Sequence, residues 1–199
     1  MVHGLARTPA SLWPIARRLE GAGFETLSFG YSSVGPSVAQ IGARLASVVR
    51  EREHDGPVHF VTHSLGGVVV RAALGREPLP GVGRVVMLAP PNRGSPLADC
   101  VAPYLGWLLK PLPDLTTHEA SAARALPVPR GVEIGIIAGD RDGKVRLADT
   151  HLPGETAHVV VRGGHSLFIY RRDVQELIVE FLHSGRFAGP VKAARPSGR

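Results

Sequence analysis

The stretch Val58-His59-Phe60-Val61-Thr62-His63-Ser64-Leu65-Gly66-Gly67 decides how the rest of this chain is read. A short apolar run ends in a serine, and small residues follow at once. The arrangement suits a serine held on a sharp turn between a strand and a helix, with its hydroxyl presented as a nucleophile. Taken alone, the same residues also describe a turn with a capping serine. The decision rests on whether the remaining sequence gives Ser64 partners.

Working outward, residues 58–62 read as a strand and 66–74 as a largely buried helix. Residues 84–88, 133–138 and 158–161 read as further short apolar strands. Residues 173–182 form a closing helix with Val174, Leu177, Ile178 and Phe181 on one face. Before Ser64, Thr8-Pro9 opens a helix over 10–20, with Thr8 as N-cap and Pro9 at the first helical position. Residues 24–29 read as a strand. Ser37 then caps a helix whose apolar face runs Val38, Ile41, Leu45, Val48 and Val49. Strands alternating with helices imply an α/β fold, a mostly parallel sheet covered by helices on both faces. Residues 97–126 break the alternation and read as a short helical insertion packed over one end of the sheet.

Composition bounds the answer without deciding it. At 199 residues the chain is expected to be one domain, over 1–185, followed by a basic, disordered tail over 186–199. Apolar residues make up 44% and charged residues 20%, as in an ordinary globular protein. Cys100 is the single cysteine, so no internal disulfide forms, and a buried structural thiol is the expectation. The net charge of +6 comes mostly from arginines. These are scattered (Arg44, Arg71, Arg84, Arg124, Arg162) rather than striped, so a solvated face accounts for them and no nucleic-acid partner is expected. No run of 18 apolar residues marks a membrane span. No charged-then-apolar leader follows Met1, so the chain as written reads as cytoplasmic, unless its true start lies upstream.

Serine attacks only when a base takes its proton, and the pKa of histidine suits that task. A carboxylate must then hold the histidine in the correct tautomer. In an open parallel sheet these groups belong on loops after the carboxyl ends of strands. Of nine histidines, only His165 lies in a loop directly after the last strand. His63 adjoins Ser64, and its side chain is expected to point elsewhere. The strand ending at Ala138 runs into Gly139-Asp140-Arg141-Asp142-Gly143, which makes Asp142 the first choice of acid and Asp140 the second. An oxyanion would need two N–H donors. Leu65, at the start of the helix, offers one, and Leu5, in the early loop His3-Gly4-Leu5, offers the other. No cofactor or metal is expected. The pair Asp140/Asp142 lacks the further ligands of a calcium loop, and Gly21-Ala22-Gly23 is in the wrong context for a dinucleotide.

Together these pieces resemble the α/β-hydrolase superfamily, and within it the small bacterial lipase and esterase-like serine hydrolases. The matching segments are H-G-L at His3, T-H-S-L-G-G at Thr62, A-P-P-N-R-G-S at Ala89, G-D-R-D-G-K-V at Gly139 and G-G-H-S at Gly163. The resemblance implies Ser64 as nucleophile, Asp142 as acid, His165 as base and Leu5 with Leu65 as oxyanion hole. It also implies that the Asn92-Arg93-Gly94 loop flanks the site. There are two departures: Thr62 stands at the first glycine of G-x-S-x-G, and the strand before His3-Gly4 is reduced to Met1-Val2, so the N-terminal strands look truncated. The implied activity is cleavage of carboxylic esters, small molecules with a hydrophobic acyl group. Thioesterase, amidase, acyltransferase or a noncatalytic binding protein on the same fold are the alternatives. Oligomeric state is not readable, nor is whether 97–126 forms a lid.

Overall fold

A computed structural model describes residues 1–52, 55–75 and 79–187. The tail expected to be disordered falls, from residue 188 onward, outside the described residues. Four parallel strands, β1 (Val58–His63), β2 (Val82–Leu88), β3 (Ile134–Gly139) and β4 (Ala157–Val161), form one sheet in that order. Among the described residues seven α-helices accompany them: α1 (Trp13–Glu20), α2 (Val38–Glu51), α3 (Leu65–Leu74), α4 (Pro96–Leu105), α5 (Ala122–Ala125), α6 (Leu147–Thr150) and α7 (Arg172–Ser184).

Both faces of the sheet are apolar, and the two-residue period of the strand sorts its side chains between them. On β2, Val85 and Met87 join the core built with α2 and α3, while Val86 and Leu88 join the core built with α1 and α7. The α2–α3 crossing is close because Gly42 lies against Ala72; a Cβ there would stand 2.7 Å from that of Ala72. Ser37 begins α2 with a capping box, its hydroxyl accepting from Gln40 N–H while the Gln40 side chain accepts from Ser37 N–H.

Four expectations need correction. Residues 24–29 do not form a strand: only Phe29 pairs, in a one-residue parallel bridge to Val2. Val2 also bridges Thr62, so the segment Met1-Val2 runs between β1 and Phe29 and offers backbone for just one pair on each side. The helix over 10–20 is divided into a 3-10 turn, Pro9–Leu12, and α1. Pro14, in the first turn of α1, has no N–H to carry the ladder back across that junction. Cys100 is exposed on α4 and not buried.

Arg71 is not on a solvated face either. It is 2% exposed, on α3 beneath the sheet's carboxyl end. Its guanidinium donates to the carbonyls of Asn92 (3.2 Å), Ala123 (2.7 Å) and Leu126. Burial lowers its pKa to about 10, still well above neutrality, so it remains charged. Asn92 in turn donates to the Thr150 carbonyl at 2.8 Å. One buried cation thus ties the loop after β2 to the segment 122–126. Arg71→Met should leave three carbonyls without a donor and cost about 2–4 kcal/mol. Urea unfolding checks this; a loss under 0.5 kcal/mol, roughly the scale of an ordinary surface substitution, would contradict it.

Candidate active site

The sheet order reverses beside Val2. From there the chain passes outward to Phe29 and returns on the other side as β1. At such a switch point the loops leaving the carboxyl ends of neighbouring strands diverge and open a crevice. Ser64 stands there, between β1 and α3, with φ 53° and ψ −122°. This is a conformation that residues with a Cβ rarely adopt, at a cost on the order of 1–3 kcal/mol. The neighbourhood enforces it. Ser64 N–H donates to the Leu88 carbonyl (2.8 Å), which ties the turn to β2. Gly66 lies against the Val2 carbonyl so closely that any Cβ would collide with it. Thr62 is accommodated with full burial, its Oγ1 3.5 Å from the Val86 carbonyl.

His165 Nε2 lies 2.9 Å from Ser64 Oγ, and His165 Nδ1 lies 2.7 Å from Asp142 Oδ2. Both the histidine (8% exposed) and the carboxylate (2%) are buried. The second oxygen of Asp142 accepts from Lys144 N–H (2.8 Å) and Val145 N–H (3.0 Å), which fixes the carboxylate plane. Burial pushes the Asp142 carboxyl upward. Its hydrogen bond and charge interaction with His165, with the two backbone donors, outweigh this and hold it below its ordinary value. A carboxylate on Nδ1 makes that nitrogen the protonated one and leaves the Nε2 lone pair facing the serine. Asp140, the second choice, is exposed and instead accepts from Gly163 N–H at 2.8 Å, closing the loop that carries His165.

Leu5 lies in a turn that lines a cavity over Ser64. Tyr31 Oη donates to the His3 carbonyl (2.6 Å) and Ala6 N–H to Ser33 Oγ (2.9 Å), so the turn is anchored on both sides of Leu5. Leu5 N–H itself has no acceptor among the described residues. Leu65 N–H, at the first position of α3, has no intrahelical acceptor, as helix geometry requires. Gly4 faces Ser64: a Cβ on it would lie 3.3 Å from that of the serine.

His63, expected to point its side chain away from Ser64, takes a place in the support of the site. It is 2% exposed, and its Nε2 lies 2.9 Å from the His165 carbonyl. Since a carbonyl only accepts, Nε2 carries the proton and clamps the backbone of the His165 loop. Nδ1 has no partner. Burial, above all, lowers the pKa of His63 to about 4. The adjacency to Ser64 was visible in the sequence; the inward rotation that follows from the strained turn was not.

A cavity of about 170 Å³ opens over Ser64. Segment 97–126 supplies its apolar wall through Val101, Leu109, Leu112 and Leu115, while Tyr104 and Trp107 point outward. Among the described residues the one group suited to a metal is His151, Glu155 and His158. There His151 Nδ1 is already paired with Glu155 at 2.6 Å. The two imidazoles stack at 4.0 Å with an interplanar angle of 17°, and His158 Nε2 lies 2.9 Å from Thr150 Oγ1.

No protein-family model and no curated protein sequence matches this chain. Among solved structures it is similar to the Bacillus licheniformis lipase BlEst2. Against the mature form identity is 19% and the TM-score 0.74, covering 91% of this chain and 90% of that one. Against the propeptide form identity is 20% and the TM-score 0.74; the match covers 97% of this chain and spans about half (51%) of the other. It is also similar to a Paleococcus ferrophilus monoacylglycerol lipase (17% identity, TM-score 0.68, 93% of each chain). An α/β-superfamily protein from Xanthomonas campestris gives 19% identity and a TM-score of 0.65 over 92% of this chain and 96% of that one. At these identities the likeness is one of fold: the chain has the α/β-hydrolase fold of bacterial lipases and esterases. No helix among the described residues is long and apolar enough to cross a membrane.

The buried His63 gives a pH test. Its folded pKa, about 4, lies below its ordinary value of 6.5, so the unfolded chain binds the extra proton first as pH falls. Its contribution is therefore fully present above pH 6.5 and is lost progressively as pH falls toward 4, by about 3 kcal/mol at most. His63→Gln keeps an N–H donor but cannot titrate. Its unfolding free energy should fall less than the wild type's between pH 7 and pH 5. Equal losses would show that His63 is not held neutral.

Proposed function

We propose that this protein is a serine hydrolase that cleaves carboxylic esters through an acyl-serine intermediate. The observation that carries the reading is the unbroken chain from Asp142 Oδ2 through both nitrogens of His165 to Ser64 Oγ, buried at the mouth of an apolar cavity. In this reading residues 1–185 are one α/β-hydrolase domain, and 97–126 is an insertion that lines the acyl pocket.

The chemistry follows from the tautomer. His165 Nε2 takes the proton of Ser64 as Oγ attacks the ester carbonyl, and Asp142 stabilises the imidazolium that forms. The negative oxygen of the tetrahedral intermediate is received by the N–H groups of Leu5 and Leu65. The positive end of α3 favours charge at the same point. Collapse expels the alkoxide, which takes the proton from Nε2. Water then enters, loses its proton to His165 and attacks the acyl group; Ser64 leaves with that proton restored. No cofactor has a role in these steps. The apolar wall favours a hydrophobic acyl group, consistent with the lipases that share the fold.

A soluble chromogenic butyrate ester provides the test. The wild type is expected to show turnover with a burst of nitrophenol. Ser64→Ala and His165→Ala should each lower kcat by a factor on the order of 10⁴ or more, and Asp142→Asn by roughly 10⁴. Folded wild-type protein without turnover, or a Ser64→Ala variant with wild-type kcat, would refute the reading.

A further inference from the structure

The titratable residues that line the cavity over Ser64 are all basic: Arg7, His63, Lys144 and His165. No carboxylate lines it, although the chain has 17 acidic residues. The two histidines are buried, whereas Arg7 and Lys144 are exposed and so belong to the solvent end of the cavity. Neither cation is paired with a carboxylate among the described residues.

Both are fixed at the backbone by the loops that build the site. Arg7 N–H donates to the Gly4 carbonyl (3.2 Å), closing the turn that presents Leu5. Lys144 N–H donates to Asp142 Oδ1 (2.8 Å), and its carbonyl accepts from Ser95 Oγ (2.5 Å). The charge of Arg7 also reaches inward: burial leads the influences that depress the His63 pKa, and Arg7 adds to it.

Two unneutralised cations at the mouth of a low-dielectric cleft concentrate anions there. The inner wall of Val101, Leu109, Leu112 and Leu115 offers an ion nothing, and burying one there would be costly. An ester that fits both halves places its acyl chain inward and an anion outward. Resting on the esterase reading above, we propose that the preferred substrates carry an anionic group, a carboxylate or phosphate, on the alcohol half of the ester, held by Arg7 and Lys144.

The test compares 3-butyryloxy-4-nitrobenzoate with its neutral methyl ester; each releases an o-nitrophenolate, one bearing a carboxylate and the other a methoxycarbonyl group, and each rate is read with its own extinction coefficient. At low salt the wild type should prefer the anionic ester in kcat/KM by about tenfold or more, and the preference should shrink with added sodium chloride. Arg7→Ala and Lys144→Ala should each reduce the ratio several-fold, the double variant should bring it near unity, and Lys144→Glu should push it lower than Lys144→Ala does. A ratio of one in the wild type, or an unchanged ratio in the double variant, would overturn the inference and leave the esterase reading standing. Hydrolysis of neither ester by folded protein would overturn both. A parallel pair of assays separates the sources of the anion. Preference for the freely dissolved ester points to a soluble anionic substrate. Preference seen only when the butyrate is presented on phosphatidylglycerol vesicles, and lost in the double variant, points to a lipid headgroup.

Discussion

The rest of the site depends on one strained residue. Ser64 holds a positive φ because the turn is pinned from two directions: by the Leu88 carbonyl on one side, and by the close seat of Gly66 on the Val2 carbonyl on the other. That constraint sets where the hydroxyl points and lets α3 begin immediately, so that Leu65 N–H is free at its first turn. It also rotates His63 inward, where its proton reaches the His165 loop. The strain is offset by burial: β1, β2 and α3 are nearly solvent-free around the turn.

The groups around Ser64 come from distant parts of the chain but are held by backbone hydrogen bonds rather than by side-chain packing alone. Asp142 is fixed by two N–H donors on its own loop, His165 by His63 and Asp142, and the Leu5 turn by Ser33 and Tyr31. Arg71 extends this outward, joining the loop after β2 to the segment that walls the cavity. Rigid support of this kind is what keeps hydrogen-bonded groups at reacting distance without reorganisation.

Much of this was legible in the sequence for a physical reason. Short apolar strands between amphipathic helices have few ways to pack, and a parallel sheet puts its loops at one end. Asp142 and His165 could therefore be picked by their place after strands, and the structure puts His165 against Ser64 and Asp142 against His165. What the sequence concealed depends on long-range context. Residues 24–29 have strand composition, yet strand formation needs a paired edge, and Met1-Val2 supplies only one residue of it. Arg71 looks like any surface arginine until the carbonyls of Asn92, Ala123 and Leu126 surround it. Cys100 looks apolar by type but falls on the outer face of α4. The orientation of His63 depends on the φ of its neighbour, which residue type does not encode.

Activation of Ser64 by His165 is the central claim, and a covalent probe addresses it directly. The protein would be treated with an alkyl fluorophosphonate, digested, and its adducts mapped by mass spectrometry. Stoichiometric modification is expected at Ser64, lost on prior unfolding and strongly slowed in His165→Ala. An unmodified Ser64 in folded protein, or modification of another residue at an equal rate, would contradict it.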